Sequence, residues 1–330
     1  MSKQNSKVVI FIPAYNTAKI LPKTFHDLPK EGIMEIIMVD DGSSDNTAEV
    51  AEDLGITVVR HQKNRGYGGA QKTGYKAALE HGADIVVMVH SDYQYDPKMT
   101  LEAIELISSG KAEAVTGTRF TPGYNAMEDG MPLWKYYPNR FLTGLENLAL
   151  GTNISDFHNG FRAYSSKVLR AVPFEKFSET FAFDSDILVQ IALREFTVAE
   201  IFRTARYRQE NSQMSFKKGI AYGLSILYLI AQFKLHQWRI LPNQIFEIGS
   251  HNAESYVNAN FFCTLSSHVH LMFILLHYQK IPDNVQFGVV SFFCFHEALH
   301  VVKYLLNISP HTIFFINLLG CSIDRNNKFI

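Results

Sequence analysis

Two short segments carry side chains that could grip a nucleotide and a cation. The first is Asp40-Asp41-Gly42-Ser43-Ser44-Asp45. Its two leading carboxylates can accept hydrogen bonds from a base or a ribose, and Gly42-Ser43 permits a tight turn. The second is His90-Ser91-Asp92-Tyr93-Gln94. Asp92 and Gln94 are hard oxygen donors two residues apart. On an extended segment they would point the same way and suit Mg2+ or Mn2+ bridging a diphosphate. A cation there would act as a Lewis acid on a departing nucleoside diphosphate. Further along, Asp184 and Asp186 could take a proton from a hydroxyl acceptor. An ionised phosphate acceptor needs no such base, and the pair would then position the acceptor or the cation. Capping of the helix expected over 187–194 is the structural alternative for them.

Rival motifs are weaker. Gly66 to Thr73 nearly spells a phosphate-binding P-loop, but Gln71 stands where the second glycine must let the backbone approach phosphate. No G-x-G-x-x-G follows the first expected strand, which argues against a nicotinamide-dependent dehydrogenase. His296-Glu297-Ala298-Leu299-His300 matches a zinc-helix pattern in letters. It sits in a histidine-rich, weakly charged tail where chance matches are frequent, and a zinc protease is set aside.

The elements that must position these residues follow from patterning. Apolar runs at Val8–Ile12, Glu35–Val39, Ile56–Arg60, Ile85–Val89 and Ala114–Thr116 alternate with helical patterns at Thr17–Leu28, Asp45–Leu54 and Gly69–His81. Asp96-Pro97 is expected to open a further helix through Ser108. Strands this continuously apolar imply a mostly parallel sheet covered by helices on both faces. The acidic segments both follow strands, and ligands of open α/β sheets lie beyond the carboxyl ends of strands. Apolar residues make up 47% of the 330-residue chain and charged ones 19%, so the class is globular. A net charge of −1 offers no general attraction to nucleic acid. Met1–Lys7 lacks the apolar core of a secretory signal, so the protein is expected in the cytoplasm or on the cytoplasmic face of a membrane.

The ordered series Ile12–Asn16, Val39–Asp45, Asn64–Ala70, Ser91–Pro97, Gly117–Phe120, Asp156–Arg162 and Phe181–Asp186 resembles the family 2 glycosyltransferases. Gly160-Phe161-Arg162 and the Arg206–Phe216 segment look like the polyprenyl-phosphate branch, the dolichyl-phosphate mannose synthase type. The resemblance implies a GT-A fold, a nucleotide-diphosphate-sugar donor, Mg2+ or Mn2+, and inversion at the anomeric carbon. Residue by residue it implies that Asp40 and Asp41 hold the nucleoside, with Pro13, Tyr15, Asn16, Gly66, Gly69 and Ser91 beside them. Asp92 and Gln94 would bind metal. Arg119, with Arg206 or Arg208, would face phosphates of donor or lipid acceptor, leaving Arg119, Asp184 and Asp186 as catalytic candidates. The pattern departs at His90, where such enzymes usually carry the first Asp of D-x-D. An imidazole suits Mn2+ better than Mg2+. Transfer to a glycan hydroxyl and a non-catalytic nucleotide-sugar-binding scaffold are the competing functions.

Three regions are expected: a catalytic domain over 1–215, a basic-flanked apolar helix over 216–240, and an appendage over 241–330 that is helical or poorly defined. Lys217-Lys218 before the apolar helix, and Lys234, His236 and Arg239 after it, suit either a membrane surface or packing on the catalytic domain.

Overall fold

A computed structural model describes residues 6–121, 124, 126–202 and 215–247, all within one compact unit, Met1–Glu254. Arg206, Arg208, the rest of the 241–330 appendage and its His296–His300 motif lie outside the described residues.

The chain begins with β1 (Val8–Ala14), α1 (Leu21–Asp27), β2 (Ile33–Asp40), α2 (Thr47–Asp53), β3 (Thr57–Arg60) and α3 (Tyr67–Glu80). It continues with β4 (Ile85–Met88), α4 (Met99–Ser108), β5 (Ala114–Thr118), α5 (Leu133–Leu150), β6 (Arg162–Ser165) and α6 (Ser166–Ala171). It closes with α7 (Phe183–Leu193), β7 (Val198–Phe202) and α8 (Phe216–Gln237). The strands form one seven-stranded sheet in the order β3-β2-β1-β4-β6-β5-β7. Only β6 runs against its neighbours β4 and β5; every other pairing is parallel. This is the mostly parallel, helix-flanked sheet that the patterning implies.

β1 explains how a continuous apolar run serves two cores. Val8, Ile10 and Ile12 enter one layer, packed with Leu21, Ala51 and Met99. Val9 and Phe11 enter the other, with Tyr75, Phe183 and Ile187. A Cβ on Gly74 would stand 2.2 Å from the Phe11 ring, so α3 can lie on β1 only with glycine there.

Two local expectations shift. α4 starts at Met99 rather than at Pro97: Asp96 Oδ1 accepts from the Lys98 amide at 3.0 Å, making a turn ahead of the helix. Within the 216–240 segment the helix α8 ends at Gln237, and it packs on the sheet-bearing unit, burying Ile226, Leu229 and Phe233. Ile220, Leu224 and Tyr228 of the same helix remain exposed. Among the described residues, no helix is long and apolar enough to cross a membrane.

Candidate functional site

The carboxyl ends of β2, β1 and β4 lie side by side, since β1 pairs in parallel with both neighbours. The loops that follow them open into a cleft of about 820 Å³. Pro13, Tyr15, Asp41, Gly66, Ser91, Asp92, Gln94 and Asp184 all line it. Arg119, Lys135 and Lys218 line it alongside an apolar wall of Met131, Trp134, Leu142 and Leu224 from the α5 and α8 regions. The two acidic segments thus face one space, as their places after β2 and β4 imply.

Most of the other expected site residues shape the loops. Asn16, at φ 53°, accepts from the Ser44 amide through Oδ1 at 2.8 Å, and its own amide donates to Ser43 Oγ at 2.9 Å. It ties the β1 loop to the β2 loop. Asp40 is buried and accepts from the Ser43 amide at 3.2 Å. Asp41 organises the glycine-rich loop. Its Oδ1 accepts from the Arg65 amide at 2.8 Å, and its Oδ2 from the Gly66 amide at 2.9 Å. His61, 20 residues away, donates to Asp41 Oδ1 through Nδ1 at 2.7 Å. Gly69 lies in the first turns of α3 beneath the Arg65 side chain.

The Asp92 segment is a turn rather than an extended stretch. Asp92 Oδ1 accepts from the Gln94 amide at 3.0 Å, and Tyr93 takes φ 58°. A short Asp side chain competes with extended backbone in this way. Both residues still line the cleft. Among the described residues, no group of three His, Cys, Asp or Glu side chains gathers as a metal site.

Asp184 does not cap its helix. The N-cap of α7 is Ala182, and Asp184 lies inside the first turn, buried. It accepts from Gln71 Nε2 at 2.8 Å and from the Tyr67 hydroxyl at 3.1 Å, and Tyr75 donates to Gln71 Oε1 at 3.1 Å. Burial, reinforced by the Asp184 charge, holds the Tyr67 hydroxyl far above its ordinary pKa, so it remains a donor. The same carboxylate is the main anion acting on Arg162, whose side chain is fully buried on β6. Burial works against the Arg162 charge, and Asp184 together with the surrounding Tyr164, Tyr67 and Tyr75 more than offsets it, raising its pKa. Arg162 donates to the Phe157 carbonyl at 2.8 Å and to Thr116 Oγ1. Asp186 does not line the cleft; it accepts from the Ser178 amide at 3.0 Å, and burial pushes its carboxyl up to about 6.

Arg119 is committed to a fully buried carboxylate. Its Nε meets Asp156 Oδ2 at 2.7 Å, and one terminal nitrogen meets Asp156 Oδ1 and the His158 carbonyl, both at 2.9 Å. Burial works to raise the Asp156 carboxyl, and the Arg119 guanidinium, with His158 and Asn139, overcomes it, leaving it below its usual value. The fork expected to face phosphates is therefore turned largely onto Asp156. Lys135, which sequence reasoning missed, lies nearby; burial, then the Arg119 charge, lowers its pKa. His61, Gln71, Lys135 and Arg162 announce nothing in isolation, because their partners come from distant elements. His158 couples two helices in the same way, meeting Glu146 of α5 at 3.1 Å and the Tyr222 hydroxyl of α8 at 2.7 Å.

Residues 9–172 match the model "Glycosyl transferase family 2". The UDP-N-acetylglucosamine–dolichyl-phosphate N-acetylglucosaminyltransferase of Methanococcus voltae is 28% identical over 246 residues, 69% of this chain and 96% of that protein. The undecaprenyl-phosphate mannosyltransferase of Micrococcus luteus is 28% identical, covering 59% of this chain and 82% of that protein. Glucosyl-3-phosphoglycerate synthase of Mycobacterium tuberculosis, solved with Mn2+, UDP and glucosyl-3-phosphoglycerate, is similar in fold. Its TM-score is 0.55 at 18% identity, covering 69% of this chain and 80% of that one.

Proposed function

Because the chain belongs to glycosyl transferase family 2, we propose that it moves a hexose from a nucleotide-diphosphate sugar to a polyprenyl phosphate, with inversion, at a membrane surface. One observation carries the reading. A single cleft is lined both by Tyr15 and Asp41 of the strand-end loops and by the apolar side chains of Trp134, Leu142 and Leu224. A donor with a polar nucleotide and an acceptor with an apolar tail need such a space. Lys135 and Lys218 also line it, two cationic side chains suited to hold an acceptor phosphate.

Asp92 and Gln94 offer a carboxylate and an amide oxygen, a donor set that fits Mg2+ or Mn2+ taking its remaining ligands from diphosphate and water. When bound, the cation would neutralise charge on the departing diphosphate. The protein's own tasks are to hold the nucleoside against the Asp41 loop and to place the acceptor phosphate behind the anomeric carbon. A phosphate oxygen then forms the new bond to that carbon as its bond to the diphosphate breaks. The acceptor is already ionised, so no carboxylate need remove a proton. Asp184 is accordingly the counter-charge of Arg162 and an anchor for Tyr67 and Gln71, not a base.

The membrane part of the reading rests on exposed apolar side chains of two helices. Leu133, Tyr137 and Leu148 of α5 and Ile220, Leu224 and Tyr228 of α8 are solvent-exposed, with Lys217 and Lys218 at the start of α8. A polyprenyl phosphate bearing a photoreactive group on its first isoprene units tests the assignment. Crosslinks on α5 and α8 that natural polyprenyl phosphate competes away are expected; crosslinks confined to other elements would contradict it.

A further inference from the structure

His90 occupies a position in the cleft that the two hydrogen-bond partners of its ring define. Its Nε2 lies 3.0 Å from the Gly160 carbonyl oxygen and 3.2 Å from the Tyr67 hydroxyl. The carbonyl can only accept. The Tyr67 hydrogen is given to Asp184, so that hydroxyl also presents a lone pair to the ring. Both partners therefore require a hydrogen on Nε2. In the neutral ring the lone pair then belongs to Nδ1, which makes no hydrogen bond among the described residues.

The ring is also locked in place. Tyr95 meets it edge-on at 5.4 Å between centroids, and the Tyr95 hydroxyl accepts from the Gly160 amide at 3.0 Å. A Cβ on Gly160 would come within 2.7 Å of His90 Nε2, so the close seat exists only because residue 160 is glycine. One ring nitrogen donating to a backbone carbonyl while the other stays open is the arrangement that prepares an imidazole to bind a metal. Nδ1 belongs to a ring that lines the same cleft as Asp92, two residues on, and Gln94.

We propose that His90 is a third protein ligand of the divalent cation, through Nδ1, and that this nitrogen makes the site select Mn2+ over Mg2+. The inference rests on the reading of Asp92 and Gln94 as cation ligands and extends it to a specificity-determining residue. Mg2+ strongly prefers oxygen ligands, whereas Mn2+ accepts an imidazole. An aspartate at position 90 would supply an all-oxygen set and remove the discrimination.

Pulsed electron paramagnetic resonance of Mn2+ bound to the wild-type protein with UDP or GDP tests this without turnover. Directly bound nitrogen is expected in the spin-echo modulation, and it should change when the histidines carry nitrogen-15. In His90→Asp the nitrogen signal should vanish. The ratio of Mn2+ to Mg2+ affinity, from competition followed by water-proton relaxation, should fall about tenfold or more. Mn2+ held with diphosphate but with only oxygen ligands in the wild type would overturn the inference and leave the donor reading standing. No Mn2+ bound with either diphosphate would overturn both. The wild-type spectrum decides the ligand question even if His90→Asp fails to fold.

Discussion

Asp184→Asn separates a counter-charge from a catalytic base. In the wild type, Asp184 accepts from Gln71 at 2.8 Å and from Tyr67 at 3.1 Å, and it balances a fully buried Arg162. Asparagine keeps the shape and loses the charge. Gln71 cannot simply turn over to suit the new amide, because its oxygen already accepts from Tyr75. Two charge-assisted hydrogen bonds then become neutral or mismatched, at about 1 kcal/mol each. Leaving Arg162 without its main anion, with which it makes no direct ion pair, adds about 1–2 kcal/mol, less than the roughly 3–5 kcal/mol for breaking a buried pair in contact. The sum is about 3–4 kcal/mol, or a fall in Tm of about 10 °C for a domain of this size. Urea unfolding of the single variants and of Arg162→Met/Asp184→Asn measures it. The double variant should cost less than the two single changes added together, by about 1–2 kcal/mol. On a phosphate acceptor, the folded fraction of Asp184→Asn should keep kcat within about tenfold of wild type, since no proton is removed there. Wild-type stability together with a thousandfold loss of kcat would refute the reasoning and return Asp184 to the role of base.

Other perturbations test neighbouring parts of the account. Burial raises the Asp186 carboxyl from 3.8 to about 6, so the folded state binds the proton more tightly and stability falls as pH rises through that window. Asp186→Asn should therefore gain roughly 2–3 kcal/mol over wild type at pH 7.5 and nothing at pH 3.5, read by urea unfolding at both values; an equal effect at both would contradict the burial argument. Lys135→Met should raise KM for polyprenyl phosphate about tenfold while leaving KM for the donor unchanged, as loss of one charge contact at an acceptor phosphate requires; a rise in donor KM instead would move Lys135 to the other substrate. Leu148→Glu/Tyr228→Glu alters side chains that are 54% and 48% exposed, so Tm should hold while sedimentation with anionic phospholipid vesicles falls about tenfold. Unchanged sedimentation would show that this face does not meet lipid.

What could be read from the sequence was whatever depends on neighbours in the chain. The run Val8–Ala14 is apolar at nearly every position because both of its faces are covered, and it is the interior strand β1. The acidic loops were legible as a site because each follows a strand, and strand ends of a parallel sheet share one edge. Roles set by distant partners were not legible. Gln71 looked like a flawed P-loop glycine, yet it is bonded to a carboxylate 113 residues away. β6 is four residues long and carries Arg162 in its buried face, so no hydrophobic pattern marks it. Arg119 matched a phosphate-facing motif, but Asp156, 37 residues on, holds its fork. The Asp92 segment defeated the two-residue alternation because the aspartate folds back on the Gln94 amide. Residue types announced the chemistry, and tertiary charge pairing decided which of them remained available for it.

Acceptor chemistry is the central claim, and initial rates of transfer test it most directly. GDP-, UDP- and dTDP-hexoses would be offered with Mn2+ to a polyprenyl phosphate, to the matching polyprenol without phosphate, and to simple sugars, with products weighed by mass spectrometry. The account predicts a polyprenyl phosphate heavier by one hexose from at least one donor, and no product on the polyprenol or the sugars. Hexose transferred to a hydroxyl acceptor but not to the lipid phosphate would contradict it.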